Sequence, residues 1–133
     1  MINSQKLGTA SGRVALAAAL AFGATSALAI EDCGAPEKPM MPDGSTATME
    51  QMLEGQKAVK TFQADLKIHL ECLDEHMAAA EDAASKTDDE EAKATHQAAY
   101  NEAFNAYNAA VSSEEEVAGD FNVALRAYKA ANK

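Results

Sequence analysis

The side chains best suited to chemistry in this sequence are His69, Cys72 and His76, on a segment that predicts an α-helix. Residues three and four apart share a helix face, so Cys72 and His76 could together bind a soft divalent metal or copper. His69 and His76 are seven residues apart, about 10 Å along a helix axis, which is too far for both to hold one ion. Both histidines fall on predicted core positions, where a hydrogen bond to a facing group is the ordinary role. The prediction is therefore no metal, with His69 and His76 as the candidates if one binds.

Motifs for other chemistry are missing from the sequence. Methionine sulfur prefers Cu(I), but these methionines form no repeated Met-x-x-Met array, which favours packing roles for Met40, Met41, Met49, Met52 and Met77. The sequence has no Cys-x-x-Cys-His run for haem, and neither a Gly-x-Ser-x-Gly, a His-Glu-x-x-His nor a phosphate-binding motif. It therefore predicts no catalytic residue and no cofactor, and the protein is expected not to be an enzyme.

The start of the chain predicts an export signal. Lys6 and Arg13 give it positive charge, residues 14–24 form a short apolar run, and the Ala-Leu-Ala ending at Ala29 matches the pattern that signal peptidase cuts. Cleavage of residues 1–29 would leave a periplasmic or secreted protein of about 104 residues. A chain of that length forms one domain, and no later segment is apolar enough to span a membrane.

The chain beyond the predicted signal is strongly acidic. Residues 1–29 hold two of the 11 basic residues and none of the 21 acidic ones, which leaves a formal charge of −12. A surface of this sign repels nucleic acid and anionic lipid, because both require positive charge in a partner. The sequence therefore predicts no nucleic-acid role, while solubility, a basic partner protein or a cation would each fit the charge.

The two cysteines, Cys33 and Cys72, are predicted to form a disulfide. An even number of cysteines in an exported chain favours a bridge over free thiols, and a disulfide sulfur is a poor metal ligand. The bridge would close a loop of about 40 residues and stabilise the fold by about 4 kcal/mol. The segment from Cys33 to Thr48 spans about 46 Å in polyproline form, enough to run back along the following helix to Cys72.

Residues 30–47 predict an extended, proline-rich arm. Its prolines recur every third residue, the period of a polyproline II helix, and they are Pro36, Pro39 and Pro42. One side of the arm is therefore prolyl and can lie in a groove. The Pro-Asp-Gly at 42–44 predicts a turn at its end.

Residues 48–133 predict an all-α domain, a long antiparallel helical hairpin. The first helix should begin at a capping box formed by Thr48 and Gln51, and run from Met49 to about Ser85. Its apolar residues form a heptad seam. The seam comprises Met52, Val59, Leu66, Leu73 and Ala80 on one line and Phe62, His69, His76 and Ala83 on the other, widened by Leu53, Leu70 and Met77. The interruption that follows is short, which favours an antiparallel second helix.

The second helix is predicted to start at Asp88, behind a Thr-x-x-Glu capping box at 87–90. A similar box at 113–116 allows a break or kink near Ser112, so the sequence leaves open whether the second helix is continuous. On the second helix, a stripe of small residues runs beside a stripe of bulkier ones. The small residues allow the two helix axes to approach closely, and the bulkier ones are predicted to cover a second neighbour of this helix. The small ones are Ala92, Ala99, Ala103, Ala106 and Ala110, and the bulkier ones are Tyr100, Phe104, Tyr107 and Val111, continued by Val117, Phe121, Leu125 (or Ala124) and Tyr128. His96 lies on the small-residue face, where sequence does not fix its distance from His76.

Residues 33–75 resemble short exported helical proteins of proteobacteria. The likeness consists of Cys33, the spaced prolines, Pro42-Asp43-Gly44, Ala47-Thr48, Met52, Gln56-x-x-Val59-Lys60-x-Phe62 and Cys72-Leu73. The resemblance implies a proteobacterial periplasmic helical protein, and no binding or catalytic residue is carried over from it.

The sequence as a whole predicts an exported, non-enzymatic structural or protein-interaction protein of the cell envelope. Apolar and alanine-rich faces that one hairpin does not bury predict contact with a second copy or with other envelope proteins. The alternative function is a periplasmic carrier of a metal or small ligand that uses His69, His76 and the methionines.

Overall fold

The structure, a computed structural model that describes residues 33–133, is an all-α helical hairpin with an extended segment lying along it. Helix α1 spans Met49–Ser85 and helix α2 spans Glu90–Ala131, and the two pack against each other along their lengths. The predicted fold class is confirmed. The predicted signal peptide at 1–29 and the first residues of the arm, 30–32, lie outside the described residues.

Helix α1 begins where the capping box predicts. Thr48 Oγ1 accepts a hydrogen bond from Gln51 N, and Gln51 Oε1 accepts one from Thr48 N. The first heptad line is buried throughout. Leu53, in contrast, is 57% exposed, so the prediction that it widens the seam is wrong. It lies about 100° around the helix from Met52 and so points away from α2.

Helix α2 begins two residues later than predicted. Asp89 is its N-cap, with Oδ1 accepting a hydrogen bond from Ala92 N at 2.7 Å. Thr87 was the predicted cap, but its hydroxyl oxygen accepts a hydrogen bond from Asp89 N at 3.2 Å instead. A carboxylate at the N-cap also interacts favourably with the positive end of the helix dipole, which favours Asp89 for this position.

Helix α2 is continuous for 42 residues, so the break near Ser112 that the sequence left open does not occur. Ala110 and Val117, on either side of Ser112, belong to one buried cluster with residues of α1. A kink at Ser112 would lift one of these two side chains off the cluster. Packing against an unbroken α1 therefore keeps the helix intact through a Ser-Ser sequence that by itself is a poor helix interior.

Small residues set the spacing of the hairpin. The buried residues of α2 are Ala103, Ala110, Val117 and Ala124, one per heptad. They face larger side chains of α1, including Phe62, Leu66 and Leu73, which are each no more than 3% exposed. Pairing small with large residues lets the helix axes approach closely while the core stays filled.

The arm, residues 33–47 of the described chain, runs back along the hairpin as predicted. Pro36 and Pro39 lie beside Phe62 on α1, and Pro42 packs against Gly55, where an added Cβ would lie 2.9 Å from the proline Cδ. The arm also contacts α2, because Lys38 Nζ lies 2.6 Å from Glu116 Oε2. The arm therefore packs against both helices.

The turn that ends the arm is built on Asp43. Its carbonyl oxygen accepts hydrogen bonds from Thr46 N and Ala47 N, and its carboxylate Oδ1 accepts from both Ser45 N and Ser45 Oγ. The Ser45 hydroxyl and then the Ser45 backbone N–H stabilise the charged carboxylate, which holds the pKa of Asp43 below its usual value.

We expect this turn to weaken in acid. A pKa lowered by folding means that the stabilising contribution is fully present above the unfolded-state pKa and is lost as pH falls through the folded-state value. In an NMR titration of the Asp43 carboxyl carbon, Ser45→Ala should raise the pKa. Thr46→Val should raise it less, since the Thr46 hydroxyl contributes least among the hydrogen bonds. Equal titration curves for the wild type and Ser45→Ala would contradict the assignment.

Candidate functional site

The arm and α1 meet at a disulfide between Cys33 and Cys72, which confirms the predicted pairing. The two Cα atoms lie 5.6 Å apart, a usual separation for a bridge. Cys33 is 5% exposed, whereas Cys72, on the surface of α1, is only half-buried. The bridge joins the beginning of the described chain to the second half of α1.

His76 lies beside the bridge. One ring nitrogen of His76 and the sulfur atoms of Cys33 and Cys72 all lie within 4.8 Å of one another. His76 follows Cys72 by one helical turn, which places both on the face of α1 that the arm reaches. This corner brings together two sulfurs and an imidazole, the donor types that soft metal ions prefer.

His69 belongs to the same corner but has a different role. It is 7% exposed, and its Nδ1 lies 2.9 Å from the carbonyl oxygen of Cys33. A carbonyl oxygen only accepts, so Nδ1 carries the hydrogen and donates it. As expected for a histidine on a core line, His69 bonds to a facing group, and this bond fixes the position of Cys33. We call His69, Cys72, His76 and Cys33 together the disulfide corner.

A cleft of about 360 Å³ opens next to the disulfide corner, between the arm and the two helices. Its walls are mainly apolar and come from Ala35, Pro36, Leu66, Leu73, Ala106, Ala109 and Ala110, with His69, Cys33 and Ser113 at polar points. The alanines of α2 make this space, since larger side chains would fill it. The cleft has room for a small apolar molecule.

The remaining predicted candidates lie apart from this corner. His96 lines a separate depression with Ala80, Ala84 and Tyr100. Met52 is buried and Met41 packs on the core, in line with the predicted packing roles. Met40 and Met49 do not fit that prediction, because they are 94% and 60% exposed.

A second surface of interest lies on α2. Tyr100 and Phe104 stack with ring centroids 6.3 Å apart, and Phe104 is 46% exposed. Tyr107 and Val111 follow at helical spacing and are half-buried. We call these four residues the aromatic flank. The exposed part of Phe104 is apolar surface that the hairpin does not bury, as the sequence predicts for this stripe.

Sequence reasoning missed the approach of His76 to both sulfurs and the contact of Lys38 with Glu116. The spacing of Cys72 and His76, combined with the predicted bridge, contains the signal for the first. A bridge to Cys72 places the Cys33 sulfur beside the residue one helical turn further along α1, which is His76. The second depends on how far the arm lies from α2, which residue spacing along the chain does not encode.

No protein-family model matches the chain, and neither a curated protein nor a solved structure is significantly similar to it. The chemistry of the disulfide corner and the surface of α2 are therefore the basis for assigning a role.

Proposed function

We propose that this is an exported, non-enzymatic protein of the cell envelope that binds other proteins along its helical surface. The Cys33–Cys72 bridge supports export, since disulfides form and persist in oxidising compartments. The predicted signal at residues 1–29 and the resemblance of residues 33–75 to exported proteobacterial proteins agree with that location.

The observation that carries the binding role is the aromatic flank, in which Phe104 is exposed and the other three side chains are half-buried. Phe104 presents almost half of its surface to solvent although it stacks on Tyr100. Aromatic side chains offer large contact areas at a small entropic cost, and they are enriched where proteins meet. A helical face of this kind fits the groove or apolar helix of another protein.

Charge indicates the character of the partner. The formal charge of −12 beyond residue 29 makes a basic protein surface the favoured partner, since complementary charge raises the association rate and suppresses wrong partners. The aromatic flank would supply the buried centre of such an interface.

A photo-crosslinking amino acid at position 104 of the full chain, expressed in a Gram-negative host, tests this proposal. We expect a discrete adduct at 104 and none at position 68, where Ile68 is 66% exposed on the other helix. An adduct with the mass of two copies would identify the partner as the protein itself. Equal crosslinking at both positions, or none at 104, would contradict a specific surface. Amino-terminal sequencing of the same material should begin at Ile30.

A carrier of a small apolar ligand is the second candidate function, and the cleft beside the disulfide is the observation that favours it. A neutral fluorescent probe such as a phenylnaphthylamine should brighten on binding there. Ala106→Leu, which fills the cleft from α2, should suppress the signal, whereas Ala98→Leu on the exposed side of α2 should not. Unchanged fluorescence with Ala106→Leu would remove this candidate.

A further inference from the structure

We propose that reduction of the Cys33–Cys72 disulfide converts the disulfide corner into a binding site for Zn²⁺, with Cys33, Cys72 and His76 as ligands. The disulfide would then block the metal site in the oxidised protein, and its reduction would free the ligands. This inference does not depend on the proposed function, because it rests on the geometry of the corner alone.

The distances among the three donor atoms are already close to those among the ligand atoms of a bound zinc ion. They lie within 4.8 Å of one another in the oxidised protein. In tetrahedral zinc sites, with Zn–S near 2.3 Å and Zn–N near 2.0 Å, ligand atoms are about 3.3–3.8 Å apart. Once the sulfurs separate, rotation of the Cys33, Cys72 and His76 side chains is enough to reach this spacing without moving α1.

Contacts other than the bridge hold Cys33 in place. The His69 ring donates a hydrogen bond to the Cys33 carbonyl oxygen at 2.9 Å, and Lys38 pairs with Glu116 at 2.6 Å. At the far end of the arm, Gly44 lies directly against the backbone of α2. The arm therefore has its own attachment to both helices, and the Cys33 thiol stays near Cys72 after reduction.

The chemical step balances with a dithiol as reductant. The dithiol supplies two electrons and two protons, so the S–S bond becomes two thiols while the dithiol becomes a disulfide. Binding of Zn²⁺ then releases the two thiol protons to water, and neutral His76 donates a ring-nitrogen lone pair. Two thiolates neutralise the ion, which suits a half-buried location.

The donor set also sets the selectivity. Thiolate and imidazole favour zinc and Cu(I) over hard cations such as Mg²⁺ and Ca²⁺, which require oxygen ligands. Three protein ligands leave the fourth tetrahedral position for water or another small ligand. Cys72 and His76 are half-buried, so both the reductant and the metal have access to the corner from solvent.

The test uses Co²⁺ as a coloured stand-in for Zn²⁺ under nitrogen, before and after reduction by a phosphine that is then removed. We expect sulfur-to-cobalt charge-transfer bands and tetrahedral visible bands, at one ion per chain, from the reduced protein only. Zn²⁺ should abolish the bands, and it should raise the melting temperature of the reduced protein but not of the oxidised one.

Variants identify the ligands. His76→Gln should weaken Zn²⁺ binding by about 10-fold or more, as even a lost supporting contact does at metal sites. The matched control is His96→Gln, a half-buried histidine on α2 away from the corner, which should bind as the wild type does. Cys33→Ala should remove about half of the charge-transfer intensity.

Three results would overturn the inference. One is unchanged Zn²⁺ affinity in His76→Gln, and another is binding of equal strength in the oxidised protein. The third concerns folding: if reduction abolishes helicity measured by circular dichroism and Zn²⁺ does not restore it, the corner does not assemble around the ion.

Discussion

Gly44→Ala should lower the free energy of unfolding by about 3 kcal/mol, through overpacking at a backbone contact. A Cβ built on Gly44 would overlap the carbonyl oxygen of Ala124 and would lie 2.7 Å from its carbonyl carbon and 2.9 Å from Tyr128 N. These are backbone atoms of α2, which cannot rotate aside as a side chain can. The turn must therefore move away from α2 and take the end of the arm with it.

The need for glycine at position 44 comes from space, since no glycine in the described residues has a positive φ. Two other glycines provide matched controls, because a Cβ at Gly34 or Gly119 meets nothing within 4 Å. Gly34→Ala should be nearly neutral. Gly119→Ala, inside α2, should raise stability by up to about 1 kcal/mol, since alanine is the better helix former. Urea denaturation measures all three, and a Gly44→Ala protein as stable as Gly34→Ala would show that the turn does not touch α2.

Removal of the disulfide should have the larger effect. The double substitution Cys33→Ala with Cys72→Ala should reduce the free energy of unfolding by about 4 kcal/mol, because the bridge closes a loop between residues 39 apart in sequence and so restricts the unfolded chain. A domain of this size has a total stability of about 5–15 kcal/mol, so the loss is a large share of it.

Chemical denaturation with a metal chelator present isolates this effect from any bound ion. Alanine is the suitable replacement because Cys33 is 5% exposed and a serine hydroxyl there would have to find a partner. Chemical reduction of the wild type should give a similar loss. A decrease below about 1 kcal/mol in both experiments would mean that the unfolded chain gains little freedom when the bridge is absent.

The extent of α1 could be predicted because local and long-range signals coincide. The Thr48–Gln51 capping box marks its start, and the heptad line from Met52 to Ala80 marks the face that α2 covers. At the start of α2 the signals compete, since Thr87 and Asp89 are both acceptable caps and the choice depends on local geometry. Near Ser112 the local signal favours a break, and burial of Ala110 and Val117 prevents it.

The disulfide could be predicted because cysteine number and the length of the arm are properties of the sequence. The position of the arm against the two helices could not be predicted, because it depends on the contacts of Gly44 and Lys38 with α2. The same limit applies to His76, whose approach to the Cys33 sulfur follows from where the first residue of the described arm lies against α1. The stripe that forms the aromatic flank, and the apolar surface that one hairpin leaves there, could be predicted from the sequence, but not that Phe104 is its exposed member.

The arm covers only part of the hairpin, and this divides the molecule dynamically. Between Leu73 and Ala103 the chain passes around the hairpin tip, and in this part of the described chain only Ala80 is buried. Amide hydrogens there are protected mainly by the hydrogen bonds of their own helix, because few side chains around them are buried. They should therefore exchange with solvent through local opening of the helix. The half of the hairpin that the arm covers runs from Met52 to Leu73 and includes the stretch of α2 that faces it. Amide hydrogens in this half should exchange only when the whole fold opens. The tip is thus the region that can splay apart while the bridged half remains native.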